Sequence, residues 1–252
     1  MLGFDTATPS TAVALRLADG STQERRDDPP PGAHPGHATR LLAIAAGLLA
    51  DAALPWSALE RIAVGVGPGT FTGLRVGIAT ARGLAQSLSL GLVGVSSLAA
   101  LAEGAAGEDD QGAWDALLAV IDARRGEAFA AAYAPDPGPD GALAELAAAR
   151  ALAPQELAGL LSEAASGAGA PRRRWLAVGD GAIRFRGQLA QAGAVVPADS
   201  SPMHRVSARA ICVAGARAAE VRGYGEIVPD YRRRPDAEIA LEAAAGARPP
   251  RR

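Results

Sequence analysis

Lysine and asparagine are missing from this 252-residue chain, so every one of its 25 basic residues is arginine. We read that bias as GC-rich coding, yet it has a chemical consequence: no Schiff base and no phosphate-loop lysine can form. A single cysteine excludes an internal disulfide and a cysteine-rich zinc site, which suits a reducing compartment. Cys212 lies in the apolar, Ala-rich run 207–219, and a buried, inert thiol is expected there. A basic excess is also lacking. With 27 acidic residues the formal charge is −2, which argues against strong nucleic-acid binding by the chain alone. No run approaches the ~18 apolar residues of a membrane span, and Met1–Thr6 has no basic segment followed by a long apolar stretch. No membrane association and a cytoplasmic location are expected. Hydrophobic residues reach 49%, but roughly a quarter of the chain is alanine, so the core will be thin per residue.

The chain opens with two strand-like runs, Leu2 to Thr6 and Thr11 to Ala18, joined by the turn Ala7-Thr8-Pro9-Ser10, with a third strand over Ser21 to Arg25. Asp27 to Gly36 carries four prolines in ten residues and reads as a loop. From Leu41 to Ala50 ten apolar or small residues follow one another, a helix expected to be covered on more than one face. Ile62 to Gly67 is a buried strand, Thr72 to Ser89 a helix, Gly91 to Val95 a strand, and Ser96 caps a helix beside Leu98. That strand-helix-strand unit implies a right-handed parallel crossover. A polar, Gly-rich stretch from Gly104 to Gln111 marks a boundary. Beyond it come strands over Ala116 to Asp122 and Glu127 to Tyr133, a loop from Pro135 to Gly141, and a helix from Pro154 to Ala165. A strand over Trp175 to Val178, a helix over Gly181 to Ala192, a strand over Ala194 to Val196 and a helix over Ser207 to Val221 complete the pattern. The expectation is an α/β protein of two mixed-sheet lobes with flanking helices: residues 1–100, residues 101–231, and a frayed tail 232–252. The helix near 207–221 could pack back on the first lobe.

The most specific segment is GVGPGTFTGLRVGIATARGLA, Gly65 to Ala85. It reads as a buried strand, a turn through Gly67, Pro68, Gly69, Thr70 and Phe71, and a helix whose first N–H groups could hold an anion. Gly67 and Gly73 are six apart with no lysine following, and Gly65-Val66-Gly67 lacks the third glycine of a dinucleotide loop. Gly69, Gly73 and Gly77 are spaced by four and would equally make a flat face for close backbone packing. Both readings stay open at this stage.

This segment resembles the G-x-G-P-G-[ST]-F-T-G-L-R turn of the TsaB (YeaZ-like) family of bacterial tRNA threonylcarbamoyladenosine biosynthesis proteins. Three stretches agree with it: Phe4-Asp5-Thr6-Ala7-Thr8, Ile121-Asp122-Ala123-Arg124-Arg125-Gly126-Glu127 and Pro229-Asp230-Tyr231-Arg232. The resemblance covers about residues 1 to 234 and is most specific in the first lobe. It implies the actin-like, sugar kinase and Hsp70 ATPase fold, of ribonuclease H type. It also implies a non-catalytic, dimerising and activating subunit that pairs with a TsaD-like catalytic relative and a TsaE-like ATPase to modify the adenosine beside the anticodon of ANN-decoding tRNAs. Homodimerisation of the chain alone, and contact with tRNA only through the complex, belong to the same expectation. Gly67, Pro68, Gly69, Thr70, Phe71 and Arg75 form the signature loop. A helix-bundle partner interface is implied, drawn from Leu41, Leu42, Ala45, Leu48, Leu49, Thr72, Gly73, Leu74, Gly77 and Ile78.

The rival is an enzyme in its own right, an actin-like ATPase or kinase, or a glycoprotease-like hydrolase. Asp5 and Thr6 at the end of the first strand, with Gly179, Asp180 and Gly181, would form a vestigial nucleotide site. The same residues are explained as turn and helix-capping groups. No cofactor is expected to be required, and ATP or ADP binding would be weak. A metal site needs a close histidine pair with further ligands. His34 and His37 have only Asp27 and Asp28 nearby in sequence, so a solvated loop and no metal are expected. Arg172-Arg173-Arg174 and Arg232-Arg233-Arg234 lack interleaved aromatics and read as solvated surface, with tRNA or partner contact as the alternative.

Overall fold

A computed structural model describes residues 1–30, 32–108, 114–137, 141–165 and 173–232. Arg172, Arg233, Arg234, most of the expected tail and parts of the expected loops at 104–111 and 135–141 lie outside them.

Among the described residues, two five-stranded sheets share one connectivity. The first contains β1 (Leu2–Asp5), β2 (Thr11–Arg16), β3 (Thr22–Asp27), β4 (Arg61–Gly67) and β5 (Gly91–Ser96), in spatial order β3-β2-β1-β4-β5. The first three form an antiparallel meander, and β4 and β5 add in parallel beside β1. The second contains β6 (Ala116–Arg124), β7 (Glu127–Pro137), β8 (Leu143–Leu152), β9 (Trp175–Val178) and β10 (Ala194–Val195), in order β10-β9-β6-β7-β8 with the same sense at every pairing. The helices α1 (His37–Asp51), α2 (Phe71–Leu88) and α3 (Ser97–Gly107) follow β3, β4 and β5. In the second half α4 (Leu157–Ala165) follows β8, the short pair α5 (Asp180–Arg184) and α6 (Arg186–Gln191) follows β9, and α7 (Ala208–Arg217) follows β10. One strand-helix plan is used twice.

The alanine-rich composition shows in how closely these layers approach. α1 and α2 cover one face of the first sheet through Leu41, Ala45, Leu48, Leu49, Ile78, Ala81 and Ala85. α7 covers the other face, where the hydrogen of Gly215 lets the helix close on Ala63. α3 lies in the core common to both sheets, where Leu98, Ala102 and Ala105 meet Leu117, Ala119, Ala131 and Ile211. Small side chains permit an approach that larger ones would prevent, and dispersion acts between the closely spaced layers.

Four boundaries differ from the sequence reading. β8 was not expected: Leu143–Leu152 contains no β-branched or aromatic residue, and its place comes from pairing along β7. The expected helix over 181–192 breaks at Phe185, whose φ of −105° and ψ of 26° interrupt the ladder between α5 and α6. α7 stops at Arg217, and Val221 instead pairs with Leu92 on the edge of β5. α1 begins at His37, four residues before the apolar run. His37 is accordingly no solvated loop residue. It is buried, with Nδ1 2.8 Å from the hydroxyl oxygen of Thr11, whereas His34 is exposed.

Candidate functional site

β1 and β4 end side by side at one corner of the first lobe, where α2 and α3 begin. Asp5, the last residue of β1, is 1% exposed. Its Oδ1 accepts from the Ala7 amide at 2.8 Å and its Oδ2 accepts from the Ser97 hydroxyl at 2.5 Å. The Gly67 amide donates in turn to the Ser97 oxygen at 3.2 Å. Strand end, helix start and signature loop are thereby held by one carboxyl group. Gly67 needs its lack of a side chain: φ is +108°, and a Cβ would stand only 3.0 Å from a Leu74 methyl group.

The glycine face of α2 is filled by the chain itself. A Cβ at Gly69 would meet Ala7, and Cβ atoms at Gly73 and Gly77 would meet Thr6. Thr70 N donates to Ala7 O at 2.7 Å and the Thr6 hydroxyl to Gly73 O at 2.8 Å, so the β1–β2 turn seats directly on the first turn of the helix. Of the two readings open from sequence, this geometry embodies close packing.

Burial pushes the Asp5 pKa up, and the hydrogen bonds from Ser97 and Ala7 oppose that only in part. The sign follows: the folded protein holds this proton more tightly than the unfolded chain. The stability tied to it is complete below the ordinary carboxylate pKa and is lost as pH rises through the elevated one. Asp5→Asn, which keeps an acceptor for Ala7 and cannot ionise, is expected to gain stability relative to the parent as pH rises from 4 to 8. Urea unfolding across that range checks it; a constant difference would show that Asp5 titrates alike in both states.

The second lobe repeats the corner with different chemistry. Asp122 near the end of β6 accepts from the Arg124 amide at 2.8 Å, as Asp5 does from Ala7, but both its oxygens also receive Arg184 Nη1, at 3.0 and 2.8 Å. The Asp122 amide donates to Asp180 Oδ1 at 3.0 Å, and burial raises the Asp180 pKa. Gly179, again at φ +108°, presses on the Val120 carbonyl and donates to His204 Nδ1 at 3.1 Å. Gly181 abuts Ile121 and Asp122. Gly179, Asp180 and Gly181 are thus gathered around Asp122, and Asp5 and Thr6 around the signature loop. No hydrogen bond joins the two groups among the described residues.

Two features were missed from sequence. One is Ser97, for which the sequence suggested no role; its neighbour Ser96 is the expected cap, accepting from the Ala99 amide. The other is a three-membered stack on the surface: the Arg75 guanidinium lies 3.7 Å from the Phe71 ring centroid, the Tyr231 ring stacks at 5.4 Å, and Arg75 Nε donates to the Tyr231 hydroxyl at 3.0 Å. The stack fastens residues 229–232 to the signature loop, joined by Asp230 N to Val66 O at 2.7 Å. Its only signal was that both stretches carry the family resemblance.

The expected interface residues need correction. Leu41, Ala45, Leu48, Leu49, Gly73, Leu74, Gly77 and Ile78 are buried inside the protomer, because the helices turn these positions toward the sheet. Leu42 and Thr72 are exposed, with Ala43, Ala46 and Ala50 beside Leu42 on α1 and Ala79 and Gly83 in line with Thr72 on α2. Among the basic runs, Arg174 is held by Asp115 in a two-point pair, with Nε and Nη2 at 3.1 and 3.0 Å. Cys212 is buried, and desolvation pushes its thiol up to about 12.

A family model described as TsaD: tRNA N6-adenosine threonylcarbamoyltransferase matches residues 29–241. Among curated proteins, the tRNA threonylcarbamoyladenosine biosynthesis protein TsaB of Escherichia coli (strain K12) is 36% identical over 136 residues, 54% of this chain and 55% of that protein. TsaB of Haemophilus influenzae is 35% identical over 129 residues, 51% of each chain. The matched stretch thus spans about half the length of these curated relatives. A solved structure of YeaZ from Pseudomonas aeruginosa superposes with a TM-score of 0.70 at 28% identity, over 91% of this chain and 98% of that one. The paired sheets are those of the actin-like ATPase fold, and the chain belongs to the family described as TsaD, tRNA N6-adenosine threonylcarbamoyltransferase, as a TsaB/YeaZ-like member.

Proposed function

We propose that this chain is the non-catalytic, dimerising and activating subunit of a cytoplasmic complex that forms threonylcarbamoyladenosine next to the anticodon of ANN-decoding tRNAs. The pathway comes from the relatives named TsaB and the family description. The observation that carries a subunit role is the filled corner of the first lobe. Thr6 and Ala7 sit against Gly69, Gly73 and Gly77, Thr70 N is spent on Ala7 O, and Asp5 is engaged by Ser97 and Ala7, so the corner offers no free carboxylate. The transfer chemistry then falls to a TsaD-like relative, with a TsaE-like ATPase joining the complex, and tRNA is met through the assembly. This chain requires no cofactor, and ATP or ADP binds it weakly.

The docking face in this reading is the outward side of α1 and α2, centred on Leu42, Ala46, Thr72 and Ala79. Small residues let a second helix pair approach closely, and the same face serves a homodimer when the chain is alone.

Purified alone, the chain is expected to leave unmodified tRNA unchanged and to hold less than one zinc or iron per molecule; adding the TsaD-like and TsaE-like proteins with threonylcarbamoyl-adenylate restores modification. Elemental analysis and mass spectrometry of digested tRNA read both. Modification by the single protein, or one firmly held metal per chain, would sink the subunit reading.

A further inference from the structure

At the far end of the first sheet from Asp5, a cleft of about 560 Å³ opens around the beginnings of β1 and β4 and the end of β2. Its size falls within the range of small-molecule sites. Register places three residues in one row: Leu2 pairs with Leu15 and Ile62, and Arg16 N donates to Met1 O at 2.9 Å, so Met1 stands between Arg16 and Arg61. Half-buried Leu17 and Leu54 supply an apolar wall, with the edges of the buried Leu15 and Leu59 behind them.

The two arginines are not equivalent. Arg61 is committed: Nε meets Glu220 at 3.2 Å and Nη1 donates to the carbonyls of Gly215 and Ala218 at 2.9 and 3.3 Å, closing the end of α7. Arg16 makes no side-chain hydrogen bond or ion pair among the described residues, and its Nε is buried without an acceptor. The adjacent acid, Asp19, directs its Oδ1 to Ser21. The head is half-buried and its two terminal nitrogens, one of them beside Gly20 at the turn between β2 and β3, are the donors left to it. A guanidinium so placed suits an anion with two coplanar oxygens, because a parallel pair of charge-assisted bonds matches the fork of its two terminal nitrogens. The leucine wall favours a hydrocarbon attached to that anion.

We propose that this cleft binds a small aliphatic carboxylate, its head on the terminal nitrogens of Arg16 and its chain along Leu17 and Leu54. Glu60, exposed at the rim, opposes the head electrostatically and sets an upper limit on affinity. The proposal is independent of the tRNA-modification reading.

Titration of the full chain with hexanoate, followed by calorimetry and by amide chemical shifts, tests it. Saturable binding is expected, with shifts concentrated at residues 15–18 and 58–61. Arg16→Gln should weaken it by about tenfold or more at unchanged melting temperature, as loss of a charge-assisted pair implies. Glu60→Gln should strengthen it a few-fold, and inorganic phosphate, which lacks the chain, should bind at least about tenfold more weakly. Should Arg16→Gln melt early, Arg16→Lys carries the test: it keeps the charge without the fork and should also bind about tenfold more weakly. Failure of hexanoate to saturate, parental affinity in the arginine variant that folds, or phosphate binding as tightly as hexanoate would overturn the proposal.

Discussion

Gly73→Ala is expected to lower the thermal midpoint by about 10 °C, and Gly73→Leu to give no cooperatively folded protein. A Cβ on residue 73 would run into the carbonyl oxygen of Thr6 and stand 2.6 Å from the Thr70 hydroxyl oxygen. The Thr6 carbonyl belongs to a backbone fixed on both sides, by β1 and by the 2.7 Å bond from Thr70 N to Ala7 O. The obstacle cannot rotate away. Relief requires the β1–β2 turn and the helix to part, which strains the Thr6 bond to Gly73 O and the Asp5 network below it. Overpacking of this kind costs about 1–3 kcal/mol or more, and in a domain of this size each kcal/mol shifts the midpoint by about 2–4 °C. Gly83 is the internal control. It lies on the same helix with nothing within 4 Å of its Cβ position, so Gly83→Ala should be neutral or stabilise by up to about 1 kcal/mol through helix propensity. Calorimetry on the three variants decides the matter; parental melting of Gly73→Leu would return the glycine face to the anion-binding reading.

The contrast between those glycines shows what the sequence made legible. A spacing of four identified a face, because helical periodicity follows directly from residue order. It did not identify the face's occupant, because Thr6 reaches Gly73 across 67 positions of chain, and only the fold brings them together. The same division runs through the molecule. Ile62 to Gly67, β-branched and uninterrupted, announced β4; Leu143 to Leu152, made of alanine, leucine and two charged side chains, did not announce β8, whose conformation is imposed by its neighbour. Of the two readings open for Asp5, the bond to its own turn is a local matter, and that bond is present. Its second bond, to Ser97, is 92 positions distant and had no local trace. Helix phase was the hardest case. A run of ten apolar or small residues gives no polar marker of its outer side, so Leu41 and Leu42 could not be told apart until α1 was seated on the sheet.

That phase now makes the docking proposal sharp, since neighbouring residues on α1 point about 100° apart. Leu42→Glu is expected to leave the protomer folded and to weaken homodimer or heterodimer formation by about 100-fold or more. Leu42 is 46% exposed in the protomer, so a glutamate there stays solvated when the chain is alone. Against a partner's apolar helices the same carboxylate would lose its water without gaining a cation, a cost of about 3 kcal/mol or more, which is a factor of at least about 100 in affinity. Leu41→Glu should behave in the opposite order. Leu41 is 1% exposed within the core of the first lobe, and its replacement should destroy the fold before assembly can be measured. Val195, 48% exposed on β10 of the second lobe, supplies a control in which Val195→Glu changes neither property. Light scattering with circular dichroism on the free chain, and titration against the TsaD-like partner, distinguish the three. If Leu42→Glu folds and assembles with parental affinity, the α1 and α2 surface is not the interface, and the docking proposal fails even if the chain proves to act in tRNA modification.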